Sequence, residues 1–220
     1  MGTKSDRLTS LPARLAAVSG VLALGVACGL APALAAKADP LTTVERGDMI
    51  MGSPNAPVTV IEYASLSSPH SADFNNDVFQ AFKARYIDTG KVRFVLREFL
   101  TPPENFAAAG VLVARCGGGD HYFQVVDAIF RDQAAMITSG EIRGGFLKIA
   151  ESAGITETEF NSCVNDDKAL AALNRRVETY ISRDLINGAP TVVVNGKVLG
   201  GALNLAALDA AVAEAQGSKP

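Results

Sequence analysis

Residues Ser68-Pro69-His70-Ser71 place two hydroxyls and an imidazole within four positions. Serine beside histidine suggests a hydroxyl nucleophile with a general base. The spacing argues against that use, because neighbours in the first turn of a helix diverge and i,i+1 side chains do not face each other. The only other histidine is His121, and a Ser-His centre also needs an orienting acid and an oxyanion hole. Ser68 is better suited to a helix N-cap, with Pro69 at the first helical position, where its missing N–H costs nothing. Ser71 is then a polar residue of the first turn. A helix start of this kind still stabilises an anion through its orphan N–H groups and its dipole.

Three further residues carry chemistry. Glu62 lies inside an apolar run six residues before Ser68. Val60 and Ala64 share its face by alternation, so the carboxyl is expected to be buried or half-buried, with a raised pKa. Cys116 and Cys163 stand far apart, and neither has a second cysteine one turn away. They are either two buried thiols or, in an oxidising compartment, a disulfide.

The elements that position these residues follow from pattern. Val58, Val60, Ile61 and Tyr63 predict a strand, and Pro69 to about Tyr86 a helix whose apolar face holds Phe74, Val78, Phe79 and Phe82. Gly90 stops that helix, and Val92, Phe94, Val95 and Leu96 predict a second strand, joined to the first by a parallel crossover. Thr101-Pro102-Pro103 marks a boundary. From 104 to 185 the pattern is helical. One helix runs from Phe106 to Cys116, stopped by Gly117-Gly118-Gly119, after which His121 sits in a loop-like stretch. Stripes follow at Tyr122, Val125, Val126, Ile129 and Phe130, and then at Ile142, Phe146, Ile149 and Ala150. Thr156 and Glu159 form a capping box. Leu170, Leu173, Val177, Ile181 and Leu185 predict a long helix with Arg175, Arg176 and Arg183 facing outward. Thr191–Val194, the Asn195-Gly196 turn and Lys197–Leu199 predict a hairpin, and Asn204 a cap for a last helix with Leu205, Leu208 and Val212 inward. The chain therefore divides into an α/β domain in two parts (57–103 and 186–216), a helical insertion over 104–185 and an extended lead-in over 36–56.

Residues 1–35 fit a secretory signal peptide. Lys4, Arg7 and Arg14 precede an apolar run from Leu15 to Leu34, and Ala33-Leu34-Ala35 is a small-x-small cleavage site. An uncleaved membrane anchor over 15–34 is the alternative, since about 20 apolar residues can span a bilayer. Gly25-Val26-Ala27 before Cys28 is a weak lipidation signal. Cleavage after residue 35 leaves 17 basic and 22 acidic residues, a net charge of −5. With no basic tract, nucleic acid is not an expected partner, and no cofactor or metal is expected.

Ser68-Pro69-His70-Ser71 resembles the Cys-Pro-His-Cys motif of DsbA-type thiol-disulfide oxidoreductases, with serine at both cysteine positions. PNAPVTVIEYAS before the motif, TGKVRFVLREF after the helix, ARCGGGDHYF and GAPTVVVNG resemble the same family, so the likeness spans most of Gly52 to Ala213. It implies a thioredoxin-like α/β fold with an inserted helical domain. It implies that Ser68 and Ser71 occupy the thiol positions, that His70 is a remnant of redox tuning, and that Glu62 sits behind the motif, where the family uses an acid in proton transfer. It also implies that Cys116 and Cys163 form a structural disulfide. Ala189-Pro190 would supply the cis-proline, which with Pro69 borders a peptide-binding surface; the family usually carries a larger residue than Ala189. The implied partners are extended or unfolded secreted polypeptides and, for active members, a membrane redox partner. Serine forms no reversible bond to sulfur, so dithiol exchange is expected to be absent. Two alternatives stand beside this one. Kappa-class glutathione transferases share the architecture and use a serine at the first position, a role open to Ser68. The serines would also result from deliberate substitution in an active oxidase, which the retained N-terminal signal disfavours.

Overall fold

A computed structural model describes residues 39–217. The expected signal peptide, the alternative anchor over 15–34 and Cys28 lie outside the described residues.

Five strands form one sheet in the order β1-β3-β2-β4-β5. They are β1 (Met49–Met51), β2 (Val58–Ala64), β3 (Val92–Glu98), β4 (Thr191–Val194) and β5 (Lys197–Val198). The central strand β2 runs parallel to β3, with Glu62 opposite Leu96, and antiparallel to β4, with Glu62 opposite Val192. All seven residues of β2 are buried, as a β-branched run covered on both faces requires. The lead-in is not wholly extended coil. Its Met49–Met51 pairs antiparallel with β3, a strand too short to show a period.

Helix α1 covers residues 69–87 and joins β2 to β3. Two of its stretches, Phe74–Phe79 and Lys83–Ile87, are π-helical, with i→i+5 bonds such as Asp88 N–H to Lys83 O at 3.0 Å. Residues five apart then share a face, so Phe74 and Phe79 are both buried, as are Phe82 and Ile87. Val78, expected in the core by a 3.6-residue period, is only half-buried. Gly90, at φ +73°, ends the helix.

The next five helices form the helical region: α2 (Glu104–Cys116), α3 (Gly118–Ser139), α4 (Ile142–Ser152), α5 (Glu157–Val164) and α6 (Asp167–Ser182). The glycine run does not open a loop. Helix α3 starts at Gly118, φ +68°, with only Gly117 between it and the end of α2, so His121 is helical. The capping box at Thr156 and Glu159 is present. Helix α6 ends at Ser182, earlier than its apolar spacing predicts, leaving Leu185 79% exposed beyond it, and Ile181, within its last turn, is 50% exposed. Helix α7 (Leu205–Gly217) returns to pack on β2 and β4, and Asn204 caps it by accepting from Ala207 N–H at 3.0 Å.

Two charged residues of β3 are buried inside this frame. Arg97 donates to both carboxylate oxygens of Asp48 at 3.0 Å, to Tyr63 Oη at 2.7 Å, to Asp184 at 3.3 Å and to the carbonyls of Pro40 and Thr43 at 2.9 Å. Burial alone would lower its pKa, but the hydrogen bonds and charge of Asp48 outweigh it and leave the pKa raised. Glu98 accepts from Arg115 and from Tyr122 Oη at 3.1 Å. Arg176, expected on the outer face of its helix, turns inward to stand 3.5 Å from Glu98.

Candidate functional site

The loop from β2 delivers Ser68 to the start of α1, where its extended backbone (φ −80°, ψ 120°) makes it the N-cap. Its hydroxyl accepts from Ser71 N–H at 3.3 Å and donates to the carbonyl of Ala189 at 3.1 Å. Ser68 is 5% exposed and Ser71 0%, so only the first meets solvent. Ser71 Oγ accepts from Ser65 N–H at 3.3 Å. Both motif hydroxyls thus satisfy backbone groups.

Residues that the motif alone does not reveal hold this turn in place. Gln133 of α3, fully buried, donates to Leu66 O at 2.7 Å and to Ser68 O at 3.1 Å. It continues the apolar stripe that reaches Phe130, and a glutamine at a core-facing position is the signal that points to it. Ser65, Ser67 and Thr101 form a hydroxyl cluster behind the loop, with Ser65 Oγ and Ser67 Oγ 3.1 Å apart and Thr101 N–H donating to Ser65 Oγ at 3.1 Å. Gly110 lets α2 come close, since a Cβ there would lie 2.9 Å from the Leu66 side chain.

His70 does not join the serines. It is exposed, and its nearest charged neighbour is Asp73 at 3.9 Å. Among the described residues no hydrogen bond links it to either hydroxyl, as the divergence of adjacent helical side chains requires.

Glu62 is 3% exposed and its Oε1 has no hydrogen-bond partner. Burial pushes its carboxyl from 4.5 up to about 8. No hydrogen bond joins it to Ser68 or Ser71 among the described residues. It faces a cavity of about 210 Å³ between the sheet, α1 and α3, shared with Asn75, Gln80, Lys83, Gln124 and Asp127.

Pro190 follows a cis peptide bond after Ala189. A groove of about 610 Å³ runs between this loop and the first turns of α1. One wall is His70, Asp73, Phe74, Asp77 and Val78; the other includes Asn187 to Thr191 and Leu203. Pro69 is exposed at the helix start, next in sequence to His70 of this wall, and does not itself line the groove. Cys116 and Cys163 are bonded, with S–S 2.01 Å and Cα atoms 5.9 Å apart. The bridge pins the end of α2 to α5 and does not line this groove. Among the described residues there is no cluster of metal-ligating side chains and no helix long and apolar enough to cross a membrane.

Residues 44–214 match the family model described as Thioredoxin. A Rickettsia bellii protein named "Putative protein-disulfide oxidoreductase" is 30% identical over 154 residues, which cover 70% of this chain and 59% of that protein. The chain thus spans little more than half the length of this relative. Disulfide bond formation protein D of Bacillus subtilis is 37% identical over 156 residues, 70% of each chain. Among solved structures, α-DsbA1 of Wolbachia pipientis superposes with a TM-score of 0.72 at 24% identity, over 82% of this chain and 96% of that one. Oxidised BdbD of Bacillus subtilis gives 0.64 at 19% identity, over 78% and 94%. At these identities the two structures show the shared fold.

Proposed function

We propose that this chain, which belongs to the DsbA-like family of thioredoxin-fold proteins, is a secreted, redox-silent member that holds extended polypeptide beside Ser68 without exchanging disulfides with it. One observation carries the reading. Where the motif of a dithiol enzyme needs an attacking thiolate and a resolving thiol one turn on, this chain has two hydroxyl oxygens, and both are engaged with backbone groups. A serine hydroxyl forms no mixed disulfide, so neither step of the exchange has a reactant.

The groove supports the binding half of the reading. A strand-like client draws its affinity from main-chain hydrogen bonds. The Ala189 N–H meets no acceptor among the described residues, and the Ala189 carbonyl, bonded once to Ser68, keeps a second lone pair. Small Ala189 leaves side-chain discrimination low, which suits weak, tolerant binding. Secretion rests on the N-terminal signal pattern, and the Cys116–Cys163 bond is at home in an oxidising compartment. A membrane redox partner of active relatives would find no electrons to accept here. No observation favours the glutathione transferase alternative. The groove wall carries Asp73 and Asp77 with no lysine or arginine, the wrong sign for glutathione's carboxylates.

Calorimetric titration of the processed chain with a reduced, unfolded polypeptide and, in parallel, with glutathione tests the reading. Binding of the polypeptide alone is expected, and Ser68→Ala should alter it little. Binding of glutathione alone, lost in Ser68→Ala, would replace this function with the transferase one.

A further inference from the structure

We infer that the groove beside Ser68 selects client segments that carry lysine or arginine next to an apolar residue. This rests on the peptide-binding reading above and narrows it to a substrate class. Asp73 and Asp77 sit four residues apart on the groove face of α1, and His70 is the only other ionisable residue of the lining. Asp77 makes no ion pair or hydrogen bond among the described residues, and Asp73 has only the long approach to exposed His70 at 3.9 Å. Their position gives no internal reason for a paired negative charge. The helix dipole favours acids in the first turn and fades beyond it, and like charges four apart on a helix repel.

The surroundings fit a long cationic side chain better than a simple ion. Phe74 and Val78 share the same wall, and Pro190 and Leu203 stand across from them. A lysine or arginine stem lies along apolar surface of this kind while its head stays in water near a carboxylate, and an arginine fork adds paired hydrogen bonds. The client backbone would meet the Ala189 edge and its basic side chain would cross to α1. Acidic segments and small anions would be turned away by the same two carboxylates.

The test uses the processed full chain and three fluorescent peptides of one apolar sequence, with arginine, glutamine or glutamate at a single central position, read by anisotropy. The arginine peptide should bind roughly two- to fivefold more tightly than the glutamine one, as exposed ion pairs allow, and the glutamate peptide most weakly. The gap should close at about 1 M salt, where the Debye length is about 3 Å. Asp73→Asn with Asp77→Asn, on an exposed helix face, should erase the difference between the arginine and glutamine peptides. Equal affinity for all three peptides, or a preference that survives the double substitution, overturns the inference and leaves peptide binding standing. Failure of every peptide to bind overturns peptide binding itself, and the inference with it.

Discussion

Oxygen at residues 68 and 71 does structural work at the helix start. Ser68 Oγ caps α1 and ties it to the Ala189 carbonyl, and serine is among the best residues for an N-cap. Glu62, by contrast, stands in a costly place. A carboxyl buried without a partner resists ionisation, and burial raises its pKa from 4.5 to about 8. The folded state then holds a proton that the unfolded chain releases between those values, so stability is full below about 4.5 and is lost as the pH climbs to about 8. At roughly 1.4 kcal/mol per pH unit, the loss is of the order of 5 kcal/mol at most. Glu62→Gln should flatten this dependence, and urea unfolding at pH 5 and pH 9 would measure it. An unchanged slope would mean that Glu62 is not the group responsible. The burial of Glu62 was legible from alternation along its strand, and the caps from residue type. Arg97 was not. Its partners Asp48 and Asp184 lie 49 and 87 residues away, and no periodicity encodes a pairing across such distances.

Elements with strong local signals were readable, and those set by tertiary demand were not. Helix α1 was expected from its apolar spacing, but its π turns answer to the sheet beneath: they bring Phe79 and Ile87 inward and leave Val78 at the groove. Leu185 matched the stripe of α6 by number alone, since the chain leaves the helix after Ser182 and Leu185 takes φ +58°. The glycines at 117–119 read as a break, yet two helices meet there almost directly. Beside this junction the Cys116–Cys163 bond links residues 47 apart. Constraining the unfolded chain over such a loop stabilises by up to about 4 kcal/mol. Cys116→Ser with Cys163→Ser should lower the urea midpoint accordingly while leaving peptide affinity intact, because neither residue lines the groove. Parallel loss of affinity would show that the helical region shapes the groove.

At the scale of the molecule, Arg97 ties together segments that the order of elements keeps apart: the lead-in through Pro40, Thr43 and Asp48, the central sheet through Tyr63, and the end of the helical region through Asp184. Its side chain and those of both aspartates are almost wholly buried. Arg97→Met would leave the buried Asp48 carboxylate without its cation, while Asp184 keeps Arg183 at 2.6 Å, and breaking a buried pair this way costs about 3–5 kcal/mol. The urea midpoint of the variant checks that figure, and a loss under about 1 kcal/mol would mark the pairs as no stronger than surface ones. The fold class was legible because its β-α-β and β-β-α halves carry separate local signals. The helix start at Ser68 was legible from residue type, and the acidic wall of the groove was not, because Asp73 and Asp77 read as an ordinary solvated helix face until the 187–191 loop lies across from them. The account as a whole turns on sulfur. Its most direct test is oxidation of a reduced dithiol peptide by the chain from residue 36 on, with oxidised glutathione as terminal oxidant, followed beside the Ser68→Cys, Ser71→Cys double variant. The serine form should show no turnover above buffer, while the double variant should gain it, since a helix N-terminus lowers a thiol's pKa. Turnover by the serine form, abolished by Ser68→Ala, would contradict the account.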